Sequence, residues 1–310
     1  MLFATHSGKF HLDDVLAYVV LQHAYAAVDP SPQLVRTRDP EVYAKADIVW
    51  DVGGVYDPAR MRYDHHQVGA ETHPDGYRLS AAGLVWRHHG PVAAKHILGD
   101  AVGEADIDQV VQGMAGRFVR AIDLTDNGHV TPLPSDLSRI VQSMNPDWIE
   151  RRDLGFESLA MLQDQSFLAA ATLVDTILGQ LVRAEYAEIA AADYVLRSHR
   201  CGQDARILVM NEALPWKPTA RRFSLPVLLA VYPYSSGWVV DTIEVQEGSP
   251  DLKLAMPLAW AGLRGQALQA ASGLADAEFC HLGRFLAATK TREGAELLAV
   301  KVVQTFHVDP

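Results

Sequence analysis

Leu2-Phe3-Ala4-Thr5-His6-Ser7-Gly8-Lys9-Phe10-His11-Leu12-Asp13-Asp14 is the stretch on which the fold class turns. Leu2 to Thr5 reads as a short buried strand. From Leu12 to Ala27 the apolar residues Val15, Leu16, Val19 and Val20 recur at helical spacing. A strand, a loop of titratable residues and a helix form the first part of a βαβ unit. Gln33 to Thr37 and Ala46 to Val52 continue it as strands, Ile48-Val49-Trp50 being the most apolar. Strands alternating with helices predict an α/β domain built on a parallel sheet.

Outward from there, Gly53 to Tyr77 is a loop rich in Gly, Pro, His and Asp. Ser80 is placed to cap a helix running to His88 and ended by Gly90-Pro91, which makes His88-His89 a solvated helix terminus. Ile107 to Ile122 repeats the helical pattern. Asp153 to His199 has no Pro and is dominated by Ala, Leu and Glu, which predicts one or two long joining helices. Beyond Cys201 the pattern changes. Ala205 to Met210, Pro226 to Tyr232 and Trp238 to Val245 have strand length, and helices are predicted around Gly262 to Ala271 and Arg292 to Gln304, with a strand near Phe279 between them. The expected organisation is an N-terminal domain over residues 1–195, including the joining helices, and a smaller α/β domain over residues 196–310.

Composition narrows the class of function. The chain has 310 residues, with 49% hydrophobic and 21% charged, which excludes disordered, collagen-like and low-complexity proteins. No uninterrupted apolar run reaches the roughly 18 residues of a membrane span, and no basic region precedes an apolar stretch at the N-terminus, so a cytoplasmic protein without membrane partners is expected. Cys201 and Cys280 stand alone, indicating neither a disulfide framework nor a thiolate zinc site. The net charge is −11. Residues 1–195 hold 15 basic and 27 acidic residues and residues 196–310 hold 12 and 11, so the deficit is N-terminal; eight of the 13 histidines also precede residue 90. A region rich in both His and Asp is what a site for a hard divalent metal requires.

Four groups of metal-type side chains stand at the ends of predicted elements. They are His6 with His11, Asp13 and Asp14; Asp51 before Val52-Gly53-Gly54; Asp64-His65-His66-Gln67; and Asp123 with Asp126 in Ala121-Ile122-Asp123-Leu124-Thr125-Asp126-Asn127-Gly128. Open α/β sheets place ligands outside the carboxyl ends of their strands, where His6 and Asp51 would meet. A carboxylate can bridge two cations about 3.5–4 Å apart, an arrangement that activates water and neutralises a phosphoryl group. Oxygen and imidazole donors favour Mn²⁺ or Mg²⁺ over structural zinc.

These strings, together with Arg36-Thr37-Arg38-Asp39-Pro40, Leu79-Ser80-Ala81-Ala82-Gly83-Leu84 and Thr289-Lys290-Thr291-Arg292-Glu293-Gly294-Ala295, resemble the MYG exonuclease family of the DHH phosphoesterase superfamily, over nearly the whole chain. The resemblance implies a parallel-sheet DHH-type catalytic domain joined by long helices to a C-terminal substrate-binding domain. It implies two divalent metal ions, with His6 and His11 on one, Asp13 on the other and Asp51 between them. His65 completes the second ion's ligands with Asp123, which is preferred to Asp126 because it follows an apolar pair. His66 faces the phosphate or leaving group as general acid, with Asp64 beside it. In the C-terminal domain His281, Arg284, Lys290 and Arg292 surround a helix start as a phosphate site, although Ala287-Ala288 replaces the family's usual Gly-Gly pair. Arg36 and Arg38 are secondary candidates for substrate contact.

The expected activity is that of a dimetal phosphodiesterase, an exonuclease on single-stranded RNA, DNA or short oligonucleotides. Two alternatives stand beside it: a phosphoesterase acting on dinucleotides or other small phosphate esters, and a metal-loaded protein that binds nucleic acid without turnover. A homodimer is compatible with the chain.

Overall fold

A computed structural model describes residues 1–235 and 237–305. The chain divides into two compact units, Met1–Tyr186 and Ala187–Pro310.

The first unit opens with β1 (Leu2–Thr5), α1 (Leu12–Tyr25), β2 (Gln33–Arg36), α2 (Pro40–Tyr43) and β3 (Ile48–Trp50), followed by the short strands β4 (Tyr56–Asp57) and β5 (Arg62–Tyr63). The sheet order is β2-β1-β3-β5-β4. Its register sets Phe3 against Leu34 on one side and Ile48 on the other, all in parallel pairing, and β4 closes the edge antiparallel to β5. Strands β1 and β3 are buried and almost wholly apolar, as strands covered on both faces must be, whereas β2 is only partly buried. Trp50, fully buried, meets Phe3 edge-on at 6.2 Å and stacks on Tyr18 of α1. Such aromatic pairs add about 0.5–1.5 kcal/mol each beyond the area they bury.

Helices follow: α3 (Ala81–Leu98), α4 (Glu104–Met114), α5 (Arg120–Asp126), α6 (Leu137–Ser143), α7 (Trp148–Arg151) and α8 (Phe156–Cys201). The helix predicted to end at Gly90-Pro91 continues through that pair for two more turns. The ring of Trp86 lies where a Cβ on residue 90 would stand, so Gly90 serves close packing here and does not stop the helix. As a result His89 is buried against the Tyr63 hydroxyl, 2.7 Å away, and is not a solvated terminus. The pattern over Ile107 to Ile122 resolves into α4 and α5 joined by a π-helical turn, Ala115–Val119.

The long stretch predicted as one or two helices is the single 46-residue helix α8. By length and composition α8 could cross a membrane, a property that counting uninterrupted apolar runs did not register. Its buried residues Phe167, Ala170, Ala171, Val174, Leu178 and Val182 fall at helical spacing on one face, and Phe167 packs on Phe10 and Tyr18. That face therefore has a protein core to fill.

The second unit contains β6 (Ile207–Val209), α9 (Trp216–Arg222), β7 (Leu229–Tyr234), β8 (Gly237–Thr242), α10 (Gly265–Ser272), β9 (Ala277–Cys280), β10 (Leu286–Thr289) and α11 (Arg292–Thr305). Its sheet runs β6-β7-β8-β10-β9, with β6 and β7 parallel and the remaining pairs antiparallel. One core, with Leu229, Val231, Val240, Leu298 and Val302, lies under α11. A second joins Val195 to Leu208, Met210, Trp216 and Ile243. Ala287 and Ala288 sit within β10, and the Cβ of Ala287 is part of the first of these cores.

Candidate metal centre

β1 delivers His6 at its carboxyl end, and β3 delivers Asp51 in the same way. Asp51 adopts a left-handed backbone (φ +54°), a conformation Asp tolerates better than most residues and one that accumulates at functional sites. Gly53 and Gly54 follow at φ +99° and +68°, turning the chain so that the Gly54 N–H donates to Asp64 Oδ2 at 2.6 Å. The other oxygen, Asp64 Oδ1, accepts from the backbone N–H of His65 and His66 and lies 2.7 Å from His66 Nδ1. Asp64 thus positions the two histidines after it and has no free face of its own.

The loop between His6 and His11 is pinned from three directions. Asn145 clamps both backbone groups of Phe10, at 2.9 Å each. Arg36 donates to Gly8 O at 2.7 Å while lying between the rings of Phe10 and Phe167 and pairing with Asp164. The Asp14 carboxylate accepts from His11 N, and Trp50 Nε1 reaches Asp14 O at 2.9 Å, tying the first turn of α1 to the end of β3. Arg36, a substrate candidate from sequence, is consumed in this packing. Arg38 stays exposed at the rim, with Nη2 3.3 Å from His6 Nδ1.

Three donor sets result. His6 with Asp14 and Asp51, Asp51 with His65 and His66, and His11 with Asp13 and Asp126 each gather ligand atoms within 4.8 Å of one another. Asp51 belongs to two of them through different oxygens. Oδ2 lies 3.1 Å from His6 Nε2, whereas Oδ1 lies 3.2 Å from His65 Nε2, which also approaches Asp126 at 3.5 Å and Asp13 at 4.0 Å. Both oxygens of Asp13 are buried without a hydrogen-bond partner. Unpaired buried carboxylate oxygens cost several kcal/mol unless a cation meets them. A divalent ion fits this donor set, which is oxygen-rich with imidazole.

The electrostatics agree. Burial pushes the Asp13 carboxyl well up, and Asp51, Asp126 and Asp14 push it the same way. Burial also raises Asp14 and Asp126, only partly offset by His6 and His65. Asp51 is the exception: burial would raise it, but His6 and His65 outweigh burial and hold it below the carboxylate range. For His6, burial works downward, yet Asp14 and Asp51 dominate and push the imidazole up to about 10; His65 is raised by Asp51 against the same penalty. Four buried or half-buried carboxylates thus compete for two buried imidazoles, a cluster short of positive charge.

Of the residues expected from sequence, His6, His11, Asp13, Asp51, His65 and His66 come together here. Asp123 does not. Its carboxylate is fully buried and occupied by Ser80 N (2.9 Å), Ser80 Oγ (2.6 Å) and His73 Nε2 (2.7 Å), where it supports the cap of α3. One turn later on α5, Asp126 takes the place expected of Asp123. Asp14 was not among the expected ligands, although its position at N3 of α1, one turn from His11, was a readable signal.

In the second unit the His281 ring packs tilted against Phe285 at 4.2 Å and accepts from Gly283 N. Arg284 donates to Met256 O, Lys290 lies 4.0 Å from Glu278, and Arg292 pairs with Glu296 and Asn211. The start of α11 is capped by Thr291, and the Asp276 carboxylate accepts from both Thr291 N and Thr291 Oγ1. A carboxylate therefore stands where the resemblance implies phosphate.

The profile of the Uncharacterised protein family (UPF0160, MYG1_exonuc) matches residues 2–303. The MYG1 exonuclease of Rattus norvegicus is 31% identical over 94% of this chain and 81% of its own. The MYG1 protein of Saccharomyces cerevisiae is 30% identical over 95% and 93%. Among solved structures, a pGpG-specific phosphodiesterase from Vibrio aligns over 100% of this chain and 99% of its own at 14% identity, with a TM-score of 0.29.

Proposed function

Because the chain belongs to the UPF0160 family, whose rat and human relatives carry the name MYG1 exonuclease, we propose that it is a metal-dependent phosphodiesterase, an exonuclease on single-stranded nucleic acid or short oligonucleotides. The observation that carries this reading is the double allegiance of Asp51, one oxygen toward His6 and the other toward His65. Two divalent ions, Mn²⁺ or Mg²⁺, suit such a carboxylate. His6, Asp14 and Asp51 would hold one, and Asp51, His65, Asp13 and Asp126, with His11 at their edge, the other. Cations held there would supply Lewis acidity toward the phosphoryl oxygens and acidify water.

The protein's own groups do the rest. The β1 and β3 ends fix His6 and Asp51, while α1 carries Asp13 and Asp14 into the buried floor. His66 is 63% exposed with Nδ1 held on Asp64 Oδ1, so its Nε2 is free to deliver a proton to the departing oxygen. Asp64 orients that ring. In the second unit, His281, Arg284, Lys290 and Arg292 remain proposed phosphate contacts, with Asp276 as the group a phosphate must displace.

The test is hydrolysis of an end-labelled oligonucleotide in Mn²⁺. Wild type should shorten it stepwise, and Asp51→Asn should remove the activity. Undiminished cleavage by Asp51→Asn rejects the mechanism. Cleavage confined to dinucleotides points to a small phosphodiester as substrate, and tight binding without cleavage points to a non-catalytic binder.

A further inference from the structure

Beside the carboxylates lies a cavity of about 340 Å³ within the first unit. His11, Asp13 and Asp126 line its carboxylate side. Leu12 and Ile122 continue the wall, Val130 and Pro132 of the segment after α5 flank it, and Arg139 and Gln142 of α6 stand at its polar side. Arg139 is the one Lys or Arg among the described lining residues. Its Nη1 donates to Gln142 Oε1 at 2.8 Å, which orients an otherwise exposed guanidinium.

We infer that this cavity seats the terminal nucleotide of the substrate, its sugar and base against Leu12, Ile122, Val130 and Pro132 and its phosphate between the carboxylate cluster and Arg139. The inference rests on the phosphodiesterase reading and narrows it to nucleotide ends. Three features carry it. The cavity opens from a donor set suited to cations, so an anion can enter a site whose side chains are net acidic only where cations and Arg139 meet it. A guanidinium presents a planar fork that matches two phosphate oxygens, and Gln142 holds that fork in place as a positioning residue. At about 340 Å³ the cavity has the size of a small organic ligand's site, and its lining is mixed, with Leu12, Ile122, Val130 and Pro132 as the apolar wall among more numerous polar groups. Free phosphate or pyrophosphate would leave this apolar wall uncovered.

Titration calorimetry in Mn²⁺ with AMP, a product-like probe that is not turned over, and separately with inorganic phosphate, tests this. AMP should bind at least about tenfold more tightly than phosphate. Arg139→Ala should weaken AMP about tenfold, the cost of about 1.4 kcal/mol, and Arg139→Lys should recover part of the loss, with Mn²⁺ affinity unchanged in both. Val130 is 48% exposed, so Val130→Trp can be introduced without disturbing the core; by filling the cavity it should weaken AMP and leave phosphate binding intact. Equal affinity for AMP and phosphate, or AMP binding indifferent to Arg139→Ala, overturns the inference. If wild type hydrolyses no oligonucleotide while AMP binding still depends on Arg139 and Val130, the phosphodiesterase reading fails and the nucleotide pocket stands.

Discussion

Asp123 and Asp126, one helical turn apart on α5, should respond to removal in opposite ways. Asp123→Ala strips a fully buried carboxylate from Ser80 N, Ser80 Oγ and His73 Nε2. Leaving the buried Ser80 N–H unpaired costs about 1–3 kcal/mol. Loosening the Ser80 cap of α3 costs about 1 kcal/mol, and the partly solvated His73 contact adds at most about 1 kcal/mol. The expected loss is about 2–5 kcal/mol, which in a unit of this size lowers Tm by roughly 4–20 °C. Mn²⁺ affinity should change little. Asp126→Ala removes a carboxylate whose ionised form is disfavoured by burial and by Asp51. Metal-free Tm should therefore hold or rise, while Mn²⁺ affinity falls by more than the about 100-fold typical of losing a group that only supports a ligand. Differential scanning calorimetry in chelator and Mn²⁺ titration of both variants decide the matter. A metal-blind Asp123→Ala at wild-type Tm, with Asp126→Ala binding Mn²⁺ normally, would refute the placement.

Two further outcomes follow from the same geometry. His66→Asn should lower single-turnover cleavage by about 10²–10⁴-fold while Mn²⁺ affinity stays within a few-fold, because the ring is exposed and held by Asp64; a parallel collapse of metal binding would make His66 a ligand. Burial, reinforced by His88, lowers His89 to about 4, whereas an unfolded imidazole titrates near 6.5. Between those values the unfolded chain binds more protons, so stability present above pH 6.5 is lost as pH falls, by up to about 1.4 kcal/mol per pH unit. Urea denaturation of wild type and His89→Gln at pH 7, 6 and 5 should show the variant with the shallower dependence; identical slopes would exclude His89 as a source.

Local chemistry was legible where it obeyed a short period. The strands Leu2–Thr5 and Ile48–Trp50 follow from short uninterrupted apolar runs and the helix from Leu12 follows from apolar residues at spacing 3.6, and each is found. The titratable residues immediately after those strands had to emerge at the carboxyl edge of a parallel sheet, which is why His6 and Asp51 were foreseeable as neighbours. Where a side chain's role depends on what packs across from it, sequence was silent. Gly90-Pro91 looked like a stop, but Trp86 fills the space beside Gly90 and α3 goes on. Arg36 looked available to substrate, but two rings and Asp164 hold it.

What the amino-acid order determined by itself is the alternation of strand and helix and the inventory of His and Asp at strand ends, since both depend on residues within one turn or one strand of each other. What only the tertiary structure decided is the division of labour inside that inventory. Asp123 and Asp126, three residues apart at about 100° each, point only about 60° apart around one helix axis, and that offset together with a rise of about 4.5 Å separates a carboxylate on Ser80 from one beside His65. Which of them faces the carboxylate cluster depends on how α5 is rotated against α1 and α3, a fact that no local spacing contains.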